Sequence, residues 1–276
     1  MTLEESATKN MKPGLFKRLS KYCLSLPGYM KGNSKMKVLA VDTSSMVAAA
    51  AVLENDRLLG EYILNHKKTH SQKLMPMIER LMKDLELNPR DIDVYAASVG
   101  PGSFTGLRIG VTTIKSIAYA AEKPVVSVPT LDALAYNIPE TDALVCPILD
   151  ARNNQVYTAI YKKEGNLIKI TEYMGVHISE LVQLLKGKNQ RVVFLGDAVP
   201  IHQEFLKQEL GAQCSLAPAN LSLQKASSVA CLALQKASAG QLEDCFDMVP
   251  FYLRKSQAER EYDKKLCTAS CEKSEA

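Results

Sequence analysis

Hydrophobic and polar positions along the first half of the chain predict strands, then a helix, then a strand–helix–strand unit. Short polar turns separate the apolar runs, as expected for consecutive strands. The predicted elements are strands at 37–42, 46–53 and 57–64, a helix at 71–87, a strand at 93–98, a helix at 106–121 and a strand at 125–128. This order indicates an α/β domain.

The same order begins again in the second half of the chain. The predicted elements there are strands at 144–150, 155–161 and 167–173, a helix at 179–186, a strand at 191–195 and helices at 200–210 and 223–238. Three meandering strands followed by a helix and a strand, occurring twice, predict a duplicated ribonuclease-H-like fold, in which each of two lobes has a mixed sheet and flanking helices. The predicted division is an N-terminal extension at 1–35, lobes at 36–138 and 139–262, and a polar tail at 263–276.

A glycine-rich segment over 98–110, S-V-G-P-G-S-F-T-G-L-R-I-G, lies between a predicted strand and a predicted helix. The first amides of a helix lack intrahelical partners, and the helix dipole favours an anion there. The spacing matches neither the P-loop nor the dinucleotide fingerprint. The loop is therefore either a ligand site or a tight structural turn, and the second lobe lacks a similar one. Its candidate residues, expected to face a cleft between the lobes, are Gly100, Pro101, Gly102, Ser103, Phe104, Thr105, Gly106 and Arg108.

Two aspartates end the first predicted strand of each lobe and should face the same cleft. Asp42 is followed by Thr43 and Ser44, and Asp150 is followed two residues later by Arg152. Neither turn contains glycine, so close backbone approach to a phosphate is hindered. The two aspartates either hold a metal-bound water or cap their turns.

Composition and charge narrow the class of protein. An apolar content of 46% supports packed cores, and no run is long enough for a membrane span. Seven cysteines without paired spacing indicate a reduced, cytoplasmic protein. Residues 1–35 carry a net charge of +5, so the remainder of the chain, at −1, is close to neutral. Any contact with tRNA or DNA therefore needs a local patch or a partner.

Several motifs together resemble the TsaB family of bacterial tRNA threonylcarbamoyladenosine biosynthesis proteins. The resemblance runs from Met36 to about Tyr262. The motifs are V-D-T-S-S (41–45), H-S-Q-K-L-M-P (70–76), the glycine-rich segment (98–110), L-D-A-R-N-N-Q-V-Y (149–157) and P-F-Y-L-R-K-S-Q-A-E-R (250–260). The resemblance implies an actin-like, Hsp70-like fold of two lobes.

The resemblance also implies a function. The chain would be a non-catalytic subunit, without catalytic residues of its own, in the complex that forms N6-threonylcarbamoyladenosine at position 37 of tRNAs reading codons that begin with A. Its implied partners are a catalytic TsaD-type paralogue and a TsaE-type ATPase. It would form a homodimer when alone, meet tRNA only through the complex and bind no membrane. The alternative is a catalytically competent actin-like ATPase or carbamoyltransferase, or a metallopeptidase.

No cofactor is expected on the isolated chain, although weak or interfacial binding of ATP or ADP stays open. The resemblance places Thr130 and Leu134 where TsaD-type paralogues carry the two histidines of a metal site. Leucine offers no lone pair and threonine a poor one, so no iron or zinc site is expected. His70 is a lone histidine before a helix, which is more typical of a turn than of a ligand. His177 and His202 have no partner nearby in the sequence.

The helices at 71–87 and 106–121 carry apolar residues on more than one face. One face can cover the sheet, and the surplus predicts a partner interface. The alternative is that both helices lie inside a large core. The predicted interface residues are Leu74, Met75, Ile78, Met82 and Ile114.

Overall fold

The structure, a computed structural model, describes residues 35–66 and 70–254. The predicted extension, apart from Lys35, and the predicted tail at 263–276 lie outside these residues. No helix in the described part of the chain is both long enough and apolar enough to cross a bilayer.

The first sheet has five strands in the spatial order β3-β2-β1-β4-β5. They are β1 (Lys37–Asp42), β2 (Val47–Glu54), β3 (Arg57–Asn65), β4 (Val94–Gly100) and β5 (Val125–Pro129). Strands β1 to β3 form an antiparallel meander, whereas β4 runs parallel to β1 and β5 parallel to β4. These strands lie within two residues of the predicted ones.

Three helices belong to the same half of the chain: α1 (His70–Asp84), α2 (Phe104–Ala121) and α3 (Thr130–Tyr136). Strand β2 shows why helices can cover both faces of the sheet. Its run of alanines and valines is buried throughout, rather than on alternate residues. Ala50 and Val52 pack in the core with α1, while Ala49 and Ala51 face the opposite side.

The second sheet repeats this spatial order as β10-β7-β6-β11-β12. Its strands are β6 (Thr141–Asp150), β7 (Gln155–Thr158), β8 (Tyr161–Glu164), β9 (Asn166–Lys169), β10 (Met174–His177), β11 (Val192–Leu195) and β12 (Cys214–Leu216). The helices that follow are α4 (Ile178–Lys186), α5 (Val199–Leu210) and α6 (Ala226–Ser238). As in the first sheet, the first strand pairs antiparallel with the second and parallel with the strand after the helix.

The prediction of two long strands at 155–161 and 167–173 is wrong, because four short strands occupy residues 155–177. Strand β6 is ten residues long, so two of the shorter strands pair with it along one edge. Its C-terminal part pairs with β7, and its N-terminal part pairs with β8, which forms a hairpin with β9. The chain changes course between Thr158 and Tyr161. Strand β12 was not predicted, since three residues are too few to show the alternation of hydrophobic and polar positions that marks a strand.

The last helix departs from the predicted boundary at 139–262. Helix α6 packs against the first sheet, where Ala230 and Ala233 share a core with Val38 and Val126. Beyond it, the backbone of Glu243 pairs with Val125 of β5. The end of the chain therefore completes the core of the first half.

The two halves are also joined through a partly buried carboxylate in α3. Asp132 accepts a hydrogen bond from Tyr161 Oη at 2.7 Å and from Tyr173 Oη at 2.9 and 3.0 Å. Both tyrosines come from the second half of the chain. Charged acceptors make the stronger class of hydrogen bond, so this contact fixes α3 against the second sheet.

Candidate functional site

The carboxylate of Asp42 lies at the end of β1 and is only 1% exposed. Its Oδ1 accepts the Ser44 amide at 2.9 Å and the Ser44 hydroxyl at 2.6 Å, while its Oδ2 accepts the Ser98 hydroxyl. Burial raises the pKa of Asp42, and these serine hydrogen bonds, together with the charge of His70, oppose the rise. Of the two roles predicted for this aspartate, the geometry is that of a turn cap.

The glycine-rich loop is filled by the turn that follows Asp42. Ser103 N donates to Ser44 O at 2.7 Å, and Thr43 Oγ1 donates to Gly106 O at 2.7 Å. A Cβ on Gly106 would lie 2.0 Å from Thr43 O, and one on Gly102 would lie 2.3 Å from Ser44 O. The loop glycines therefore leave room for the chain's own backbone at the position where an anion was one of the two predicted alternatives.

Other groups hold the same turn from outside the loop. His70 Nε2, at the start of α1, lies 2.7 Å from Ser45 O. Ser45 Oγ donates to Gln224 Oε1 at 2.8 Å. His70 thus has the turn-binding position that its lone occurrence indicated. Ser103 caps α2 by accepting Gly106 N at 3.3 Å.

A second group of carboxylates comes from the second sheet. Asp197 Oδ1 accepts Asp150 N at 3.0 Å, and Asp150 Oδ1 accepts Arg152 N at 2.7 Å. Desolvation, reinforced by the charges of Asp150 and Asp42, raises the pKa of Asp197 to about 6. Asp197 is thus close enough to feel the charge of a carboxylate from each half of the chain, Asp42 and Asp150. Their combined charge disfavours a polyphosphate.

Asp197 and the preceding Gly196 were not predicted. Gly196 has φ +111°, and a Cβ there would lie 2.1 Å from Ile148 O. Gly196 and Asp197 follow β11, which has the same place in the order of the second sheet as β4 has in the first. The second half therefore has one glycine at this position, although it has no glycine-rich loop like that of the first half. The run V-F-L-G-D at 193–197, an apolar strand followed by Gly-Asp, was a usable signal.

The remaining histidines are less isolated than expected. His177 caps α4, with Nδ1 2.8 Å from Ser179 Oγ. Desolvation lowers the pKa of the buried His202, Asp150 opposes that change, and the charge of His177 adds to it. Even so, no group of three His, Cys, Asp or Glu residues in 35–66 and 70–254 is placed to hold a metal ion.

Thr130 and Leu134, the residues at the expected metal positions, are both buried in α3. The Thr130 hydroxyl has no hydrogen-bond partner among the described residues. A single hydroxyl beside a leucine side chain does not provide the ligand set of an iron or zinc site.

The predicted interface face is mostly interior. Leu74, Ile78, Met82 and Ile114 all lie in the core between α1, α2 and the first sheet. The prediction of a surplus apolar surface is wrong for these four, because α1 and α2 pack against each other as well as against strands. Met75 is 48% exposed. With Ile117 it lines a groove of about 780 Å³ between α1 and α2.

Three of the loop residues predicted to face the cleft contact residues 251 and 252, near the end of the described chain. Phe104 stacks on Tyr252 with ring centres 4.5 Å apart, and Arg108 Nε donates to Tyr252 Oη at 3.0 Å. Gly100, at φ +126° and followed by a cis peptide bond to Pro101, leaves room for Phe251 O. Thr105 is exposed on the first turn of α2.

Comparison with known proteins gives consistent similarities. The family model TsaD, tRNA N6-adenosine threonylcarbamoyltransferase, matches residues 57–262. A relative named tRNA threonylcarbamoyladenosine biosynthesis protein TsaB, from Bacillus subtilis, is 36% identical over 82% of this chain and 98% of its own length. A protein of the same name from Haemophilus influenzae is 26% identical over 79% and 94%. The solved structure of YeaZ from Pseudomonas aeruginosa superposes with a TM-score of 0.63 at 23% identity, over 79% and 100%.

We predict that Gly106→Ala destabilises the fold. The new Cβ would lie 2.0 Å from Thr43 O, so α2 or the turn must move. Such overpacking costs about 1–3 kcal/mol, which thermal unfolding would register as a lower Tm. The matched control is Gly187→Ala, where a Cβ would lie 3.7 Å from Leu184 O and the Tm should stay near that of the parent. Equal Tm values for the Gly106 variant and the parent would contradict the proposed fit.

We predict that Asp197→Asn stabilises the chain at neutral pH but not in acid. A folded-state pKa of about 6 against an ordinary 3.8 means that the unfolded chain ionises first as pH rises. The parent therefore loses relative stability between about pH 4 and 6, and the loss persists above that range. Asparagine keeps the acceptor for Asp150 N, so the gain at pH 7.5 should be about 1–3 kcal/mol by denaturant unfolding, vanishing near pH 3.5. Asp142→Asn, an exposed residue of β6, is the control. A gain of the same size at both pH values would exclude ionisation as its cause.

Proposed function

The chain belongs to the TsaB family of tRNA threonylcarbamoyladenosine biosynthesis proteins, and we propose that it is the non-catalytic scaffold subunit of the complex forming N6-threonylcarbamoyladenosine at position 37 of tRNAs reading codons that begin with A. One observation carries the scaffold role. The glycine-rich loop, which would have to admit a nucleotide phosphate, is occupied by the chain's own turn at Thr43 and Ser44. A polyphosphate cannot occupy the same volume.

The repeated strand order of the two sheets supports a duplicated ribonuclease-H-like fold of the actin type, with the last helix returned to the first sheet. In folds of this kind the opening between the halves is the natural nucleotide site. Here Asp42, Asp150 and Asp197 supply negative charge to that opening. We infer that the chain alone holds no cofactor, and that any ATP or ADP is bound weakly or at an interface with a partner.

These observations count against the alternative functions. An actin-like ATPase or carbamoyltransferase needs phosphate access, and the filled loop opposes it. A metallopeptidase needs metal ligands, and Thr130 and Leu134 are poor ones. The scaffold role needs neither.

The groove between α1 and α2 is the proposed surface for partners. Met75 and Ile117 give it an apolar lining, and methionine adapts to the shape of a partner. We propose that this groove binds a TsaD-type catalytic paralogue and that, in its absence, a second copy of the chain occupies it. A TsaE-type ATPase would join the assembled pair in the cytoplasm, and the pair would present the tRNA.

We predict that Met75→Glu abolishes association with the TsaD-type paralogue while the monomer stays folded. A carboxylate desolvated by a partner in this groove is unfavourable, whereas in the free monomer the side chain stays in water. Co-purification, sedimentation and modification of a tRNA transcript by the reconstituted pair measure the outcome.

Two variants make this test decisive. Leu184→Glu, on an α4 residue with 42% exposure, is the matched control and should leave association intact. Met82→Glu places a charge in the core and should reduce helical circular dichroism. If Met75→Glu still captures the paralogue, the groove is not the partner surface.

We also predict that the purified chain carries no stoichiometric iron or zinc. The reason is chemical, since Thr130 and Leu134 replace the ligands that a metal would need. Elemental analysis of chain purified without chelators or affinity metals should find well below one metal per chain. About one iron or zinc per chain, lost on mutation of Asp150 or His202, would restore the metalloenzyme alternative.

A further inference from the structure

A second groove lies on the opposite flank of α2 and has no role in the function proposed above. It runs between α2 and the segment 245–252, and its volume is about 570 Å³. Thr112 and Ser116 line both this groove and the Met75 groove, so a single ridge of α2 separates them.

An aromatic pair stands at each end of this groove. At one end Tyr119 meets Phe246 edge to face, with ring centres 5.6 Å apart and side chains 65% and 59% exposed. At the other end Tyr252 is stacked on Phe104. Because Phe104 and Tyr119 are fifteen residues apart on one helix, the two pairs are separated by about 22 Å. Tyr252 is 36% exposed and Phe104 is half-buried against it, so each end of the groove presents one aromatic stacking surface.

Cations lie between and beside these rings. Lys115 Nζ donates to Met248 O at 2.8 Å and to Phe246 O at 3.3 Å, which holds the ammonium group against the segment. The exposed Arg108 lies with its guanidinium 5.8 Å from the centre of the Tyr252 ring. Asp247 is the exposed acid of the segment, whereas Asp244 is buried and accepts Phe246 N. The groove thus interleaves two cations with aromatic rings.

We propose that this groove binds a few unpaired nucleotides of an RNA, with bases stacked on Tyr119 and Tyr252 and phosphates held near Lys115 and Arg108. Every base has a π-face, and cations set between aromatic rings are the pattern of single-stranded RNA sites. The chain outside residues 1–35 is close to neutral, so an RNA contact requires a local patch of this kind. The proposal rests on the proposed function, which supplies an RNA substrate.

An RNA fits the groove better than the other two candidate ligands. A single free nucleotide would reach one aromatic pair and leave the second unused. A protein segment would use the exposed apolar side chain of Val249 and would not need two cations. A strand of linked nucleotides uses the length, the rings and the charges together.

The test uses the full-length chain, alone and bound to the TsaD-type paralogue, with a fluorescein-labelled single-stranded RNA of about twelve nucleotides as the probe. Fluorescence anisotropy should show that Tyr119→Ala and Phe246→Ala each weaken binding about tenfold. Arg108→Gln keeps a donor for Tyr252 but removes the charge, so it should weaken binding and make the salt dependence shallower by about one phosphate contact.

Matched controls come from the second half of the chain. Arg191→Gln removes the guanidinium of another exposed arginine, and Ile201→Ala removes an exposed apolar side chain from α5. Both should bind the RNA as the parent does. Capture of the paralogue should be unchanged for every groove variant, because Met75 lies on the other flank of α2.

Three results would overturn the proposal. Unchanged RNA binding by the Tyr119 and Phe246 variants would show that the groove does not contact RNA, and the proposed function would stand if the pair still modifies tRNA. Loss of paralogue capture with RNA binding intact would make the groove a protein interface. Equal competition by ADP would make it a mononucleotide site. Failure of the parent chain to pair with the paralogue would instead count against the proposed function.

Discussion

The contact between two backbone segments, the turn at Thr43–Ser44 and the glycine-rich loop, fixes the geometry of the first half of the chain. Gly106 and Gly110, one helical turn apart on α2, would each place a Cβ within 2.4 Å of Thr43. Only residues without side chains allow a helix to approach a turn this closely. The contact sets where α2 begins, and α2 in turn carries both grooves. Ser98 and Ser44 donate hydrogen bonds to the carboxylate oxygens of Asp42 and so hold the start of the same turn.

The same contact explains why a loop with the sequence of an anion site need not bind an anion. A helix N-terminus offers amide donors, and here the cap of Ser103 and the carbonyl of Ser44 satisfy donors that a phosphate would otherwise use. Across the opening, Asp197 has a raised pKa because it is desolvated beside Asp150. Both features disfavour polyphosphate. Function is then left to the surfaces of α2, in keeping with the proposed role of a subunit that acts through partners.

Much of the fold could be predicted from the sequence, and the elements that were predicted wrongly have physical explanations. The strands of the first sheet are bounded by turns, so local pattern located them. Helix α6 was assigned to the wrong half because its buried face is largely alanine, which fits either sheet. Met75 and Met82 lie on nearly the same face of α1, yet only Met82 is buried. The turn after α1 covers it, since Leu87 N donates to Met82 O at 2.9 Å and the Leu87 side chain packs on the same core.

The candidate site was harder to predict, because its neighbours are distant in sequence. The sequence identified the candidate residues around Asp42 and in the loop. The orientation of the Phe104 and Arg108 side chains, however, depends on their contacts with Tyr252, whose position in space cannot be predicted from the local sequence pattern. The contact of Tyr252 with Phe104 and Arg108 also bears on the proposed assembly. The segment 245–252 lies against one flank of α2 and leaves the other flank, with Met75, open. A partner on one flank and an RNA on the other would be separated only by the ridge of Thr112 and Ser116. One helix, anchored by its glycines to the turn of β1, would then set the distance between them.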